Sequence, residues 1–319
     1  VPELRVDPLS GLRTIIAPRR AERPIAHSAP REIRGGEDPF AAGSEDETPP
    51  ELYALREREG AGWDVRVFEN RYPALGGEPS ESAPEAKPDL FTRLPASGSH
   101  EVIVNSSRPV ARLAELDAGE LSAAVEVWRL RMREHTGAAC LHLAVNEGEA
   151  GGASIAHTHA QLYALDFVPA LIARERERFA AYATRTMGGD LLSDLVAEEV
   201  RRAERIVAID DDAVLLAPFA SWLPYQLMIA PRRARPRFED DGPSGAALLH
   251  DALGRLARLH DGCPPLNLWV RTAPRGAEHF CWRIDIVPRL SGLAGLELGT
   301  GVHLNSVTPE RAASELRDA

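Results

Sequence analysis

Residues 146–162 read NEGEAGGASIAHTHAQL, a glycine-rich turn followed by two histidines and a glutamine at alternate positions. Taken as a β-strand from Ile155 onward, the segment has period two, so His157, His159 and Gln161 share one face and Ala156, Thr158, Ala160 and Leu162 the other. Two imidazoles and a carboxamide beside a turn with exposed backbone N–H groups suit a phosphate. One imidazole can attack phosphorus while the neighbouring donors take up the charge that develops. The same pair also fits a plain polar sheet face or half of a metal site. A metal centre needs three or four converging donors, and no cysteine or carboxylate stands nearby at ligand spacing.

The elements around this segment are readable from periodicity and punctuation. Cys140 to Val145 forms a strand that runs into it. Before that, Asp117 to His135 reads as a helix. Asp117 is placed to cap it with Glu120 three residues on; Leu121, Val125, Trp128 and Met132 form one apolar stripe, and Gly137 follows the end. Residues 3–18 read as strand, turn, strand, Trp63 to Phe68 alternates as a strand, and Glu101 to Asn105 is another. Residues 25–50 and 76–99 are rich in Pro, Gly and acid and read as surface excursions. Two charged helices follow the motif, one after Pro169 and one from Leu191 to about Arg205.

The same order then recurs. A strand at Pro224–Pro231, a helix from about Gly245 to His260, a strand at Leu266–Val270, a turn and a strand at His279–Ile286 parallel the elements that lead to the histidines. Arg283 and Asp285 take the histidine positions in this second copy. Hairpins and one helix per repeat, without strict strand–helix alternation, predict an α+β fold with mainly antiparallel sheet. The expected division is an N-terminal unit, 1–168, that carries the nucleophile, and a C-terminal unit, 169–319, that contributes packing and ligand binding.

Composition narrows the partners. The 319 residues include 37 Lys and Arg against 48 Asp and Glu, a net charge of −11. That balance argues against a general nucleic-acid or membrane-surface binder but leaves room for anionic small molecules held by local arginines. Cys140, Cys263 and Cys281 are odd in number and widely spaced, as in a reduced chain. No apolar run reaches membrane-span length and no basic-then-apolar pattern opens the chain, so a cytoplasmic location is expected.

Five blocks in order carry a resemblance across nearly the whole chain: DPLSGLRTIIAPRRAERP, WDVRVFENRYPAL, HEVIV followed by a helix, NEGEAGGASIAHTHAQL, and WRIDIVPRLSGLAGLELGTGVHLN with Pro309-Glu310. The chain resembles the galactose-1-phosphate uridylyltransferases of the histidine-triad superfamily and their relatives, the plant-type ADP-glucose phosphorylases. The resemblance implies duplicated histidine-triad units forming an antiparallel half-barrel with flanking helices. It implies ping-pong transfer of a nucleoside monophosphate from a nucleotide sugar to a hexose 1-phosphate through a covalent nucleotidyl-histidine, in a cytoplasmic homodimer. His159 matches the family nucleophile, Gln161 the glutamine on the transferred phosphoryl group, and Ser154 and Asn146 positions at the phosphates. Arg20 and Arg23 match an arginine pair that neutralises phosphate, Asn70 an asparagine at the nucleotide, and Glu297 a glutamate on the sugar hydroxyls. His303 stands where the family has a glutamine near the sugar.

The departures are informative. Many members hold zinc with C-P-F-C, a later histidine and the first histidine of H-x-H. Here Asp38-Pro39-Phe40-Ala41 and Pro109 replace all but His157. No zinc or other cofactor is therefore expected, and His157 is expected to orient the site through hydrogen bonds. A second metal site of some members has Arg283 and Asp285 at its histidine positions. Thr158 stands where many uridylyltransferases have proline. Two further readings stay open: a phosphorylase or hydrolase that passes the nucleotide to phosphate or water, including ADP-glucose or dinucleotide phosphorylases, and a non-catalytic nucleotide-sugar binder.

Overall fold

The computed structural model describes residues 2–22, 38–56, 62–76, 90–91 and 93–319. Arg23 and most of the two excursions fall outside them. The chain begins with β1 (Glu3–Val6) and β2 (Arg13–Ile16), a hairpin whose turn is held by the Asp7 carboxylate accepting from the Leu9 and Ser10 N–H groups. There follow β3 (Glu51–Leu55), β4 (Val65–Glu69), β5 (Gly98–Val104), α1 (Ala118–Glu134), β6 (Cys140–Glu147) and β7 (His159–Leu165). After α2 (Ala170–Thr186) and α3 (Leu191–Arg202) come β8 (Ile206–Ile209), β9 (Ala213–Leu216), β10 (Leu227–Pro231), α4 (Ala246–Leu259), β11 (Leu266–Arg271) and β12 (Arg283–Pro288). The chain closes with α5 (Gly295–Thr300), β13 (Val302–Asn305) and α6 (Pro309–Asp318).

Ten strands form one sheet in the order β3-β4-β5-β7-β6-β11-β12-β10-β9-β8, and every neighbouring pair is antiparallel. Each half supplies three strands, a helix and two strands in the same chain order, and the halves meet where β6 pairs with β11 from Glu147↔Leu266 to Leu143↔Val270. The fold is thus α+β, with duplicated units on a large antiparallel sheet. β13 is parallel to β2 in a separate three-stranded sheet with β1.

Alternation decides which face is the core. On β6, Leu141, Leu143 and Val145 point one way; on β7, Ala160, Leu162 and Ala164; on β11, Leu266, Leu268 and Val270. These pack under α1, α4 and α6 with Trp128, Met132, Leu249, Leu253 and Leu316, all fully buried. The helices form because their apolar residues recur at helical spacing, and Asp117 and Thr308 cap the starts of α1 and α6. Asp117 accepts from Glu120 N–H at 2.8 Å while Glu120 Oε2 accepts from Asp117 N–H at 3.0 Å, the reciprocal box read from the sequence. The opposite face carries two smaller apolar clusters among the described residues. Phe40, Trp63 and Phe68 cover the first half, and Phe179, Leu192, Val196 and Phe280 cover the second. No helix among the described residues is long and apolar enough to cross a membrane.

Candidate active site

The strand expected from Ile155 begins instead at His159. The preceding residues are irregular because their polar groups are taken elsewhere. Thr158 N–H donates to the Val110 carbonyl at 2.8 Å, and the Thr158 carbonyl accepts from Asn105 N–H at 3.1 Å. The alternation nevertheless survives across the break. Thr158 turns to the core side, where its hydroxyl meets Asn105 Nδ2 at 3.2 Å and Glu147 Oε1 at 3.1 Å. The flanking histidines turn to the other side, against the edge of Phe40, with ring centroids 6.4 Å away for His157 and 5.1 Å for His159.

The glycine turn is tighter than an open cradle. The N–H groups of Gly151, Gly152 and Ala153 close back on the carbonyls of Gly148 and Glu149, so they are not the exposed donors expected. Among the described residues, the N–H groups of Ser154 to His157 make no backbone hydrogen bond, and any free donors lie there. Gly151 must lack a side chain, since a Cβ there would meet the Leu266 carbonyl oxygen at 2.6 Å.

His157 is buried, and both of its ring nitrogens are engaged. Nδ1 lies 2.8 Å from Asp38 Oδ2 and Nε2 lies 2.7 Å from the Ser106 carbonyl oxygen. The ring is therefore held from both sides, by the Asp38 carboxylate and by a backbone carbonyl. His159 is organised differently. Its Nδ1 donates to the His157 carbonyl at 2.8 Å, which leaves the Nε2 lone pair free of protein partners among the described residues. Burial lowers the His159 pKa; the hydrogen bond to the His157 carbonyl raises it, the nearby His157 charge lowers it further, and Asp38 acts in the raising direction. The net result is a neutral imidazole with one fixed tautomer and a nucleophilic lone pair on Nε2.

The residues at the zinc positions do not fit that ion. Ala41 and Pro109 carry no donor atom, and the remaining two, Asp38 and His157, are hydrogen-bonded to each other. Among the described residues no cluster of three His, Cys, Asp or Glu side chains is placed to hold a metal.

The other predicted residues divide into two groups. Gln161 and Asn70 join the His159 side. Gln161 Oε1 lies 2.9 Å from His100 Nε2 and accepts from the Tyr163 hydroxyl at 2.8 Å, and Asn70 Nδ2 lies 3.2 Å from the same His100 nitrogen. Asn146, at the join of the halves, accepts from Asn267 Nδ2 at 2.7 Å, and Arg289 holds Asn267 from the other side at 2.8 Å. Ser154 is exposed beside the motif, and Arg20 is exposed on the 3-10 turn Pro18–Glu22 after β2.

Glu297 and His303 belong to the second half. Glu297 accepts the Ala294 N–H at the start of α5. His303 stacks on Trp222 at 4.9 Å, and Trp222 in turn stacks on Trp269. The Trp269 indole donates to Asp285 at 2.9 Å. No hydrogen bond or ring contact among the described residues joins either one to His159. Where the second copy has Arg283 and Asp285, the structure has a buried ion cluster. Arg283 donates to both Glu175 oxygens at 3.1 Å and to Asp285 at 3.0 Å. Burial opposes the Arg283 charge, but Asp285 and Glu175 outweigh it and hold its pKa above the usual guanidinium value.

Sequence reasoning missed His100, Tyr163 and the role of Asp38. Tyr163 carried a usable signal, since it continues the His159–Gln161 alternation. His100 opens the HEVIV block, but its partner was not legible, because β5 sets it opposite Tyr163 only through sheet register.

Comparisons with known proteins identify the family and the fold. The family model for the galactose-1-phosphate uridyl transferase N-terminal domain matches residues 1–169, and a model for a domain of unknown function, DUF4921, matches residues 139–318. An ADP-glucose phosphorylase of Arabidopsis thaliana is 29% identical, covering 99% of this chain and 93% of its own length. A galactose-1-phosphate uridylyltransferase of Thermotoga maritima is 27% identical, covering 99% and 98%. The crystal structure of an ADP-glucose phosphorylase from Arabidopsis thaliana with bound ADP-glucose superposes with a TM-score of 0.83 at 26% identity, covering 100% of this chain and 99% of that one. The chain belongs to the galactose-1-phosphate uridyl transferase family.

Proposed function

We propose that this protein is a nucleotidyltransferase that moves a nucleoside monophosphate from a nucleotide sugar to a sugar 1-phosphate through a covalent adduct on His159. The observation that carries the reading is the fixed tautomer of His159, with Nδ1–H on a backbone carbonyl and a free lone pair on Nε2. Nε2 attacks the α-phosphorus, the bond from that phosphorus to the bridging oxygen breaks, and the sugar 1-phosphate leaves. An acceptor phosphate oxygen then attacks the same phosphorus and the N–P bond breaks. Gln161 and Ser154 are assigned to the phosphoryl oxygens, with Asn146 ordering the site from the join of the halves. His157, held by Asp38, fixes the carbonyl that sets the tautomer. Arg20, with Arg23 beyond the described residues, is assigned to the outer phosphate, and Asn70 to the nucleotide.

No step in this scheme uses zinc, in keeping with the donor set at Asp38, Ala41, Pro109 and His157. The N-terminal unit, 1–168, supplies the chemistry, and the C-terminal unit, 169–319, supplies Glu297 and His303 for the sugar. Because those two side chains are tied to the second half, a homodimer in which one chain completes the other's site fits the reading. The three free cysteines support a reducing, cytoplasmic setting. Similarity to the Arabidopsis ADP-glucose phosphorylase favours a second reading, in which inorganic phosphate is the acceptor.

The test is incubation with UDP-glucose or ADP-glucose radiolabelled on the α-phosphate, followed by acid and base quench. Acid-labile, base-stable label on the wild-type protein that is absent from His159→Ala is expected. Label that persists in His159→Ala would defeat the mechanism. Release of the label by inorganic phosphate, and not by hexose 1-phosphates, would select the phosphorylase reading.

A further inference from the structure

Beyond His159, strand β7 presents Gln161 and Tyr163 on the same face, and β5 places His100 directly opposite Tyr163. The two rings stack with centroids 4.1 Å apart and planes inclined by 24°. The Ala74 backbone N–H points at His100 Nδ1 at 3.2 Å. A backbone N–H only donates, so Nδ1 holds the lone pair and the neutral ring carries its proton on Nε2. That N–H meets Gln161 Oε1 at 2.9 Å, and the Tyr163 hydroxyl donates to the same oxygen at 2.8 Å.

Asn70 offers this nitrogen no acceptor. Its Oδ1 accepts the Tyr72 N–H at 2.8 Å, so it is the Nδ2 donor that lies 3.2 Å from His100 Nε2, and that contact is not a hydrogen bond in this tautomer. The chain of assignments therefore starts at a backbone amide and ends at the Gln161 amide. Both acceptor positions of its oxygen are filled from the His100–Tyr163 side, and its two N–H bonds are left to point elsewhere.

We propose that His100 and Tyr163 are positioning residues that lock the Gln161 amide with its N–H groups toward the phosphoryl group on His159. This rests on the reading of His159 as nucleophile. A freely rotating amide would present its oxygen to the phosphoryl oxygens for part of the time, where like partial charges repel. A locked amide presents only donors, with no reorganisation as charge builds in the transition state. The lock is made by neighbours that lie behind Gln161 on its own sheet and need not touch substrate.

The experiment is single-turnover adduct formation with α-phosphate-labelled UDP-glucose and ADP-glucose, with a thermal midpoint measured on each variant. Tyr163→Phe keeps the stacked ring and removes one donor, and should slow adduct formation roughly tenfold, the worth of one hydrogen bond, with little change in half-saturating donor concentration. His100→Ala should slow it at least as much, and His100→Gln, which restores a side-chain N–H, should recover part of the loss. In a Gln161→Ala background, Tyr163→Phe should have no further effect. Wild-type rates in Tyr163→Phe, or losses that multiply in the double variant, would overturn the inference alone, provided His159→Ala abolishes the adduct. An adduct that persists in His159→Ala would remove the reading of His159 and this inference with it.

Discussion

Behind the nucleophile, Glu147 ends β6 fully buried. Its Oε1 accepts from Leu113 N–H at 2.6 Å and from the Thr158 hydroxyl at 3.1 Å, while its Oε2 has no partner among the described residues. Burial pushes this carboxyl up to about 7, against the lowering effect of the Leu113 hydrogen bond and of Arg112. The folded state thus holds the proton more tightly than the unfolded chain, whose ordinary value is 4.5. The stabilisation is complete below the unfolded value and is lost as pH rises through the folded one, on the order of 3 kcal/mol in all. Glu147→Gln, uncharged at every pH, should remove this slope. Urea midpoints measured from about pH 5 to about pH 8 should fall for the wild type relative to the variant, and parallel curves would refute the assignment. At this same scale the sequence showed His157, His159 and Gln161 as a group. It did not show that His157 is held at both ring nitrogens while His159 keeps one free, because that difference is set by acceptors brought from Asp38 and Ser106.

Helix α1 illustrates how far local rules reach. Its cap, box and apolar stripe were all legible, since each depends on residues within one or two turns. Asp117→Ala should cost about 1 kcal/mol. The denaturation midpoint should drop by that amount while adduct formation at saturating donor stays unchanged; an unaltered midpoint would show the cap to be idle. Strand β7 illustrates the limit. Period two was correct, but the start was misplaced by four residues, from Ile155 to His159. Local propensity permits an extended segment there. What prevents a ladder is that Thr158 spends its backbone groups on Val110 and Asn105. The same diversion brings the His157 carbonyl to the His159 ring, so the irregularity is part of how His159 is held.

Across the molecule, one sheet carries two halves with the same element order and different polar contents. The first half keeps His159 beside the hydrogen-bonded His157–Asp38 pair, and the second holds Arg283 between Glu175 and Asp285. Removing the arginine would leave two buried carboxylates without their main counter-charge. Arg283→Met should therefore destabilise the whole protein by about 3–5 kcal/mol, read as a lowered thermal midpoint, with part of the loss recovered in Arg283→Met combined with Glu175→Gln. A single variant as stable as the wild type would show that the cluster contributes nothing. Because β6 and β11 join the halves in one continuous sheet, the loss should appear in one cooperative transition.

By itself the sequence determined what near neighbours control: the alternation after the glycine turn, the capped helix, the repeated order of elements, and the residues that carry the family likeness. These follow from rotamer, turn and periodicity rules that act over a few residues. Only the tertiary structure decided which partners meet. His100 reaches Gln161 across 61 positions, Asp38 reaches His157 across 119, and Glu175 reaches Arg283 across 108. Sheet register and burial create those contacts, and they belong to the folded chain as a whole. So does the tautomer of His159, whose Nδ1 is held by the His157 carbonyl and whose Nε2 lone pair is free among the described residues.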